Sequence, residues 1–180
     1  NGDTFEAPIV ASNMDVKRTF QRHIDPGLLP DAFNKAVDRF KIRGSSAKLN
    51  IALDALPDFP DAPADAPFLR GDLHCSTSLA ELERGYDDWK EGRWSAEPYF
   101  DLLIPSQIDP TMAPPGKHMM TVFVQYAPYD LEVDGVRAGE NWTDTQRSAL
   151  ADCVYDKMER AMPDIRARIV HAEVRTPLDI

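Results

Sequence analysis

A short polar stretch carries the three residue types of a hydrolytic triad. Asp72, His74 and Ser76 alternate along the chain, and an acid, a base and a hydroxyl nucleophile in contact can perform acyl transfer. Alternation on a strand would place the three side chains on one side. Working triads, however, gather their members from separate segments beside a preformed oxyanion site. We therefore favour a polar strand end beside a helix cap, and keep a hydrolase as the lesser hypothesis.

Two further sets of polar side chains are candidates to face a ligand. From Lys48 the pattern has a period of two, so Lys48 and Asn50 share the face opposite Leu49. At the end of a later apolar strand, Gln125 and Tyr126 offer hydrogen-bonding groups and a flat apolar ring. Either set can instead belong to a solvated sheet face, or to a core in which the hydroxyl groups are hydrogen-bonded.

The chain lacks the motifs of metal and nucleotide sites. His23, His118 and His171 stand apart from any partner at metal-ligand spacing, which favours surface or hydrogen-bonded structural roles. The nine glycines include no G-x-G pair and no G-x-x-x-x-G-K, so neither a dinucleotide fingerprint nor a P-loop is present. Cys75 and Cys153 form no C-x-x-C, which argues against a zinc site or a disulfide framework and favours a reducing compartment.

The composition is typical of a folded globular chain. Hydrophobic residues make up 43% and charged residues 28% of the 180 residues. The net charge of −10 repels a phosphate backbone, so nucleic acid is a poor partner. No apolar run reaches the roughly 18 residues of a membrane span. We expect a cytoplasmic protein, or a mitochondrial matrix protein in a eukaryote, and the absence of an initiator Met suggests a piece of a longer or processed protein.

Four helices are predicted from caps and from apolar residues at helical spacing. The first would begin at Asn13, directly after a short strand at residues 9–10. The others would follow Pro30 and the two capping boxes Ser78–Glu81 and Thr143–Gln146.

Strands are predicted where apolar residues alternate or cluster between turn residues. Four prolines make the segment 57–67 a long irregular loop. The interspersed order of helices and strands predicts an α+β fold, in which helices cover a mixed sheet. The strands predicted at residues 99–104 and 119–126 would pair as a hairpin with a wide loop. The predicted strands are 48–53, 99–104, 119–126 and 168–174.

Three stretches resemble the phytoene-desaturase-like FAD-dependent oxidoreductases, in particular the branch described as pyridine nucleotide-disulphide oxidoreductase domain-containing. The stretch Ala11–Phe20, ASNMDVKRTF, is similar to the family segment SNADPKRTF, from which it departs at Met14 and Val16. The stretch Ser45–Pro57 resembles the first long strand of the family's substrate domain. The stretch Ile104–Tyr129, IPSQIDPTMAPPGKHMMTVFVQYAPY, matches the longest and most distinctive family motif.

The resemblance implies a fragment of a flavoenzyme, with the α+β substrate domain of phytoene-desaturase and amine-oxidase-like proteins. Residues 1–13 would be a strand returning from an FAD-binding domain absent here, and residues 14–180 would bind substrate. The full-length protein would transfer hydride from an apolar, isoprenoid or lipid-like substrate to FAD. This fragment alone is expected to be inactive and without bound cofactor.

The resemblance assigns no catalytic residue and no metal. Motif position and face alternation give the site candidates instead. The competing hypothesis is a non-catalytic module that binds a protein partner or dimerises, and the motifs do not decide between a monomer and a homodimer. The substrate-lining candidates are Lys48, Asn50, Gln125 and Tyr126, and the cofactor-proximal candidate is Asn13.

Overall fold

A computed structural model describes residues 2–63, 66–76 and 78–180. The chain divides into two compact units between Arg43 and Gly44. The first unit is helical, and the second is a sheet with a layer of helices. The α+β class predicted from the sequence is confirmed. None of the described helices is both long and apolar enough to span a bilayer.

The described part of the first unit contains one regular α-helix. Helix α1 spans Asp31–Arg39, and Pro30 precedes it as predicted, because a proline at this position removes no helical hydrogen bond. The rings of Phe20 and Phe33 pack edge to face, with 5.0 Å between their centroids. This contact ties the helix to the preceding segment of the same unit.

The segment before α1 differs from the prediction. It forms a π-helix over Arg18–Arg22, and its first turn is held by Asp15, whose carboxylate accepts a hydrogen bond from the Arg18 N–H at 2.9 Å. The predicted cap at Asn13 is therefore wrong: the helical segment begins later, and Asp15 stands three residues before the N–H that needs an acceptor.

No strand forms over the described residues 2–13. Ile9 and Val10, the predicted strand, are 85% and 83% exposed. A strand needs a neighbouring strand to pair its backbone N–H and C=O groups, and the resemblance places that neighbour in another domain. The assignment of residues 1–13 to a returning strand stays a prediction.

The second unit is built on a five-stranded sheet with the order β2-β3-β4-β1-β7. Every neighbouring pair in it is antiparallel. The two remaining strands form a separate hairpin. The strands are β1 (Ser46–Leu53), β2 (Leu73–His74), β3 (Tyr99–Leu103), β4 (His118–Gln125), β5 (Leu131–Val133), β6 (Val136–Ala138) and β7 (Ile169–Arg175).

The described residues of the second unit form three α-helices: α2 (Leu79–Lys90), α3 (Asp144–Met158) and the short α4 (Ile165–Arg168). Both predicted caps are confirmed. The Ser78 hydroxyl accepts a hydrogen bond from the Glu81 N–H at 3.3 Å, and the Thr143 hydroxyl accepts one from the Gln146 N–H at 3.4 Å. These bonds satisfy backbone donors that a helix start leaves without partners.

Gly92 lies just after α2, at a position where glycine commonly ends a helix. Its φ of +80° lies in the left-handed region, which glycine enters without strain. A Cβ at this position would lie 3.2 Å from the Cβ of Glu132. The Gly92 carbonyl also accepts a hydrogen bond from the Glu132 N–H at 2.8 Å, so the end of α2 and strand β5 lie in direct contact.

The core lies between the sheet and the helices of the second unit. Alternate residues of β1, β3 and β4 point into it, and α3 contributes an apolar stripe from the other side. Full burial of each aliphatic side chain stabilises the fold by about 1.5–3 kcal/mol. The largest fully buried side chains include Leu49, Ile51, Leu53, Phe100, Leu102, Met120, Val122, Leu150 and Met158.

The side chain of Ser106 links the start of the long loop between β3 and β4 to its end. The buried Ser106 hydroxyl accepts a hydrogen bond from the Met119 N–H at 3.2 Å and lies 3.0 Å from His118 Nδ1. His118 thus has the hydrogen-bonded structural role predicted for it. The hairpin of β3 and β4 is also confirmed.

The proline-rich loop predicted over residues 57–67 has no strand or helix in its described part before Pro67, where a 3-10 turn begins. Residues 64 and 65 lie outside the described residues.

Candidate functional site

The face of the sheet opposite the helices carries a row of chemically distinct side chains. The antiparallel register aligns one residue from each of the five strands. At about 4.8 Å between neighbouring strands, the row is about 19 Å long. In spatial order it consists of His74, Asp101, Phe123, Lys48 and Arg175.

A second row lies two residues further along the strands and completes a groove. Its members are Leu103, Thr121, Asn50 and Glu173. The groove has a volume of about 630 Å³ and combines apolar with charged walls. Its lining residues are Lys48, Asn50, Asp72, Asp101, Leu103, Thr121, Phe123, Arg175 and Ile180.

The four substrate-lining candidates are not all brought together. Lys48 and Asn50 both line the groove. Gln125 lies at the end of β4, opposite Ser46 of β1 and outside the groove lining. The role of these residues toward a substrate stays a prediction.

Tyr126 follows the last residue of β4 and lies in an aromatic cluster with α2, outside the groove lining. Its ring centroid is 5.6 Å from that of Tyr86 and 6.3 Å from that of Trp89. Asn13 belongs to the first unit and is exposed there, and its predicted position near a cofactor stays a prediction.

One end of the row is an acidic cluster on β2 and β3. His74 Nδ1 lies 2.5 Å from Asp101 Oδ1, and the Tyr99 hydroxyl donates to the same oxygen at 2.6 Å. The hydrogen bond to Asp101 is the main cause that raises the pKa of Tyr99 to about 12, so Tyr99 is a donor at neutral pH. The ligand atoms of Asp72, His74 and Asp101 lie within 4.8 Å of one another, a set of nitrogen and oxygen donors that suits a divalent cation.

The alternating stretch does not form the triad considered from the sequence. His74 bonds to Asp101 of the neighbouring strand, and the Ser76 hydroxyl donates to the Ser78 carbonyl at 3.4 Å. The sequence pattern does not indicate Asp101 or Tyr99 as site residues, because β2 is only two residues long. No local pattern shows which strand so short a segment will join.

The other end of the row is basic. Arg175 Nη2 lies 3.0 Å from Glu173 Oε1, and the Asn50 amide donates a hydrogen bond to the other oxygen of this carboxylate at 3.1 Å. The hydrogen bond from Arg175 is the main cause that lowers the pKa of Glu173 below its ordinary value, and the hydrogen bond from Asn50 adds to it. Lys48 forms no ion pair or side-chain hydrogen bond within the part of the chain that the structure describes.

Neither cysteine offers an activated thiolate. Burial is the main cause that raises the pKa of the Cys75 thiol to about 11, and burial also raises the pKa of Cys153. A nucleophilic cysteine needs the opposite shift, toward the thiolate at neutral pH.

Comparisons with known proteins find relatives that are named as oxidoreductases. No protein-family model matches the chain. The chain is 32% identical over 188 residues to pyridine nucleotide-disulfide oxidoreductase domain-containing protein 2 of Mus musculus, and 32% identical over 186 residues to the protein of that name in Rattus norvegicus. It is 30% identical over 183 residues to a 4,4'-diapolycopene oxygenase of Methylomonas sp.

The coverage of these alignments is unequal. They include 99–100% of this chain but 31–32% of the relatives, so the chain spans about a third of the length of the curated relatives it matches. The names of the relatives support a relationship to oxidoreductases, as the sequence motifs indicated.

Proposed function

We propose that this chain is the substrate-binding domain of an FAD-dependent oxidoreductase that transfers hydride from an apolar substrate to the flavin. The observation that carries the proposal is the similarity of the whole chain to oxidoreductase relatives three times its length. The Methylomonas relative is named for a polyene substrate. A polyene or other lipid-like compound is therefore the substrate class proposed here.

The open sheet face supports a role as one wall of a substrate chamber. Helices cover one face of the sheet, while the other holds a groove of about 630 Å³, within the range of small-molecule sites. Leu103 and Phe123 give the groove an apolar surface, and Phe123 is 41% exposed. An apolar substrate would cover such side chains and remove them from water.

The residues present fit the substrate side of such an enzyme but not the phosphate side of its cofactor. The sequence has no G-x-G pair, whereas a dinucleotide needs glycines that let the backbone approach its pyrophosphate. The FAD phosphates would be held by another part of the full-length protein. Bound flavin supplies the hydride acceptor, and the residues of this chain would orient the substrate and exclude water from it.

The absorbance spectrum of the full-length protein tests the proposal. We expect a yellow, flavin-loaded protein, while this 180-residue chain purifies colourless. Anaerobic addition of diapolycopene, the polyene in the name of the Methylomonas relative, should bleach the flavin. Dithionite serves as the control for full reduction. A full-length protein that binds no added FAD would contradict the proposal and favour an interaction or dimerisation module.

A further inference from the structure

Lys48 is a charged side chain without a partner of opposite charge among the residues that the structure describes. It is the third residue of β1, is half-buried, and lines the groove on the open face of the sheet. Within the described residues it forms no ion pair and no side-chain hydrogen bond. Fully buried charges are paired because burial removes their solvation by water, and a half-buried lysine loses part of that solvation.

The residue directly opposite Lys48 on β7 is a second cation. The register pairs Lys48 with Arg175, and like charges opposite one another destabilise a strand pair. The carboxylate of Glu173 is engaged by Arg175 and by Asn50. Glu173 thus offsets one of the two cations, and one positive charge remains.

The other neighbours of Lys48 do not supply the missing anion. Phe123 lies opposite it on β4. Asp101 is the next residue of the row on β3, two strands and about 10 Å from Lys48. The Asp101 carboxylate is already hydrogen-bonded with Tyr99 and His74.

We infer that Lys48, assisted by Arg175, binds the carboxylate of an amphipathic ligand whose apolar chain lies along Phe123 and Leu103. This inference deepens the proposed function, and rests on it for the statement that the groove receives a substrate. A single remaining positive charge matches a monoanion such as a carboxylate. The groove also holds apolar surface beside that charge, which a free inorganic anion would leave uncovered.

The charge pattern also fixes the orientation of the ligand. Asp72 and Asp101 lie at the opposite end of the groove and repel a carboxylate. The anionic head would therefore lie at the β1–β7 end, and the apolar chain would extend toward β3. A neutral ligand of the same shape would lack this preference.

Calorimetric titration of the chain with oleate below its micelle concentration tests the inference, with oleyl alcohol as the neutral probe of equal length. We expect Lys48→Met to weaken oleate binding at least tenfold and to change oleyl alcohol binding by less than twofold. Lys48→Arg should restore oleate binding to within threefold of the wild type. Lys117→Met is the matched control, since Lys117 is an exposed lysine of the β3–β4 loop, six residues from Phe123.

Circular dichroism and the unfolding midpoint of each variant show that the fold is retained. The inference is overturned if oleate does not bind, if oleate and oleyl alcohol bind equally well, or if Lys48→Met weakens both to the same extent. These titrations involve no flavin. A full-length protein without flavin would thus contradict the proposed function while leaving carboxylate recognition to be judged on the oleate result.

Discussion

Lys157 of α3 donates a hydrogen bond to the Glu81 carboxylate of α2 in the interior of the second unit, where the two side chains are only 7% and 5% exposed. The Lys157 ammonium also donates to the Pro98 carbonyl at 2.9 Å and lies 5.8 Å from the ring centroid of Phe100. This one ammonium group therefore connects both main helices to the start of β3. Buried charges are tolerated when they are paired and hydrogen-bonded in this way.

Replacing Lys157 with Met should destabilise the chain by about 3–5 kcal/mol, because a buried carboxylate loses its cation. Urea unfolding followed by circular dichroism measures the free energy of unfolding. The double variant Lys157→Met with Glu81→Leu should recover most of this loss, since it removes both buried charges. Lys90→Met, at an exposed lysine, is the control and should leave the free energy of unfolding nearly unchanged. Equal effects of the two single lysine variants would contradict the prediction.

Ser106→Ala should lower the free energy of unfolding by about 1–2 kcal/mol. The substitution leaves the Met119 N–H and His118 Nδ1 without the hydroxyl that joins them. Ser148→Ala, at an exposed serine of α3, serves as the control. The expected difference between the two variants is absent if water replaces the hydroxyl without loss.

The ion pair of Arg147 and Asp179 should make stability depend on pH in the acidic range. The hydrogen bond from Arg147 is the main cause that lowers the pKa of Asp179 from 3.8 to about 2. A lowered folded-state pKa adds stability that is fully present above pH 3.8 and is lost as the pH falls toward 2.

Because Asp179 is about one-third exposed, screening by solvent limits the gain to about 1 kcal/mol. The difference in unfolding free energy between wild type and Asp179→Asn should be constant above pH 5 and shrink between pH 4 and 2. A difference that stays constant over that lower range would show that the pair does not act through charge.

Gly92→Ala should destabilise the chain more than Gly135→Ala. Both glycines have a positive φ, +80° and +83°, so alanine is strained by about 1–2 kcal/mol at either position. An added Cβ at Gly92 would also approach Arg137 and Glu132 at 3.1–3.2 Å, whereas nothing lies within 4 Å of one at Gly135. Thermal unfolding of the two variants separates the backbone effect from the packing effect. Equal midpoints would show that the neighbours of Gly92 move aside at no cost.

Most elements that depend on local sequence were predicted, and the cap at Asn13 is the exception. Helix caps such as Ser78 and Thr143 act within three residues, and the alternation that places Lys48 and Asn50 on one face acts within a single strand. Both signals can be observed in a short window of sequence. The fold class followed from the order of the elements.

The features that depend on distant partners were not predicted. The pairing of His74 with Asp101 depends on where a two-residue strand docks, and the strand expected at residues 9–10 has no neighbour. One missed feature did carry a signal: Lys157 follows Leu150 and Val154 at helical spacing, on the stripe that faces the core. A lysine on an apolar stripe predicts a buried carboxylate partner, although not which one.

The row from His74 to Arg175 limits where residues can be inserted or deleted without disturbing the groove. Because side chains alternate along each strand, an insertion or deletion of one residue within β1 would turn Lys48 into the helical layer and Leu49 outward. Two residues at a time would preserve the alternation but move Lys48 out of line with Phe123 and Arg175. Length variation compatible with the groove is therefore confined to connections outside the ladder, such as the wide loop between β3 and β4.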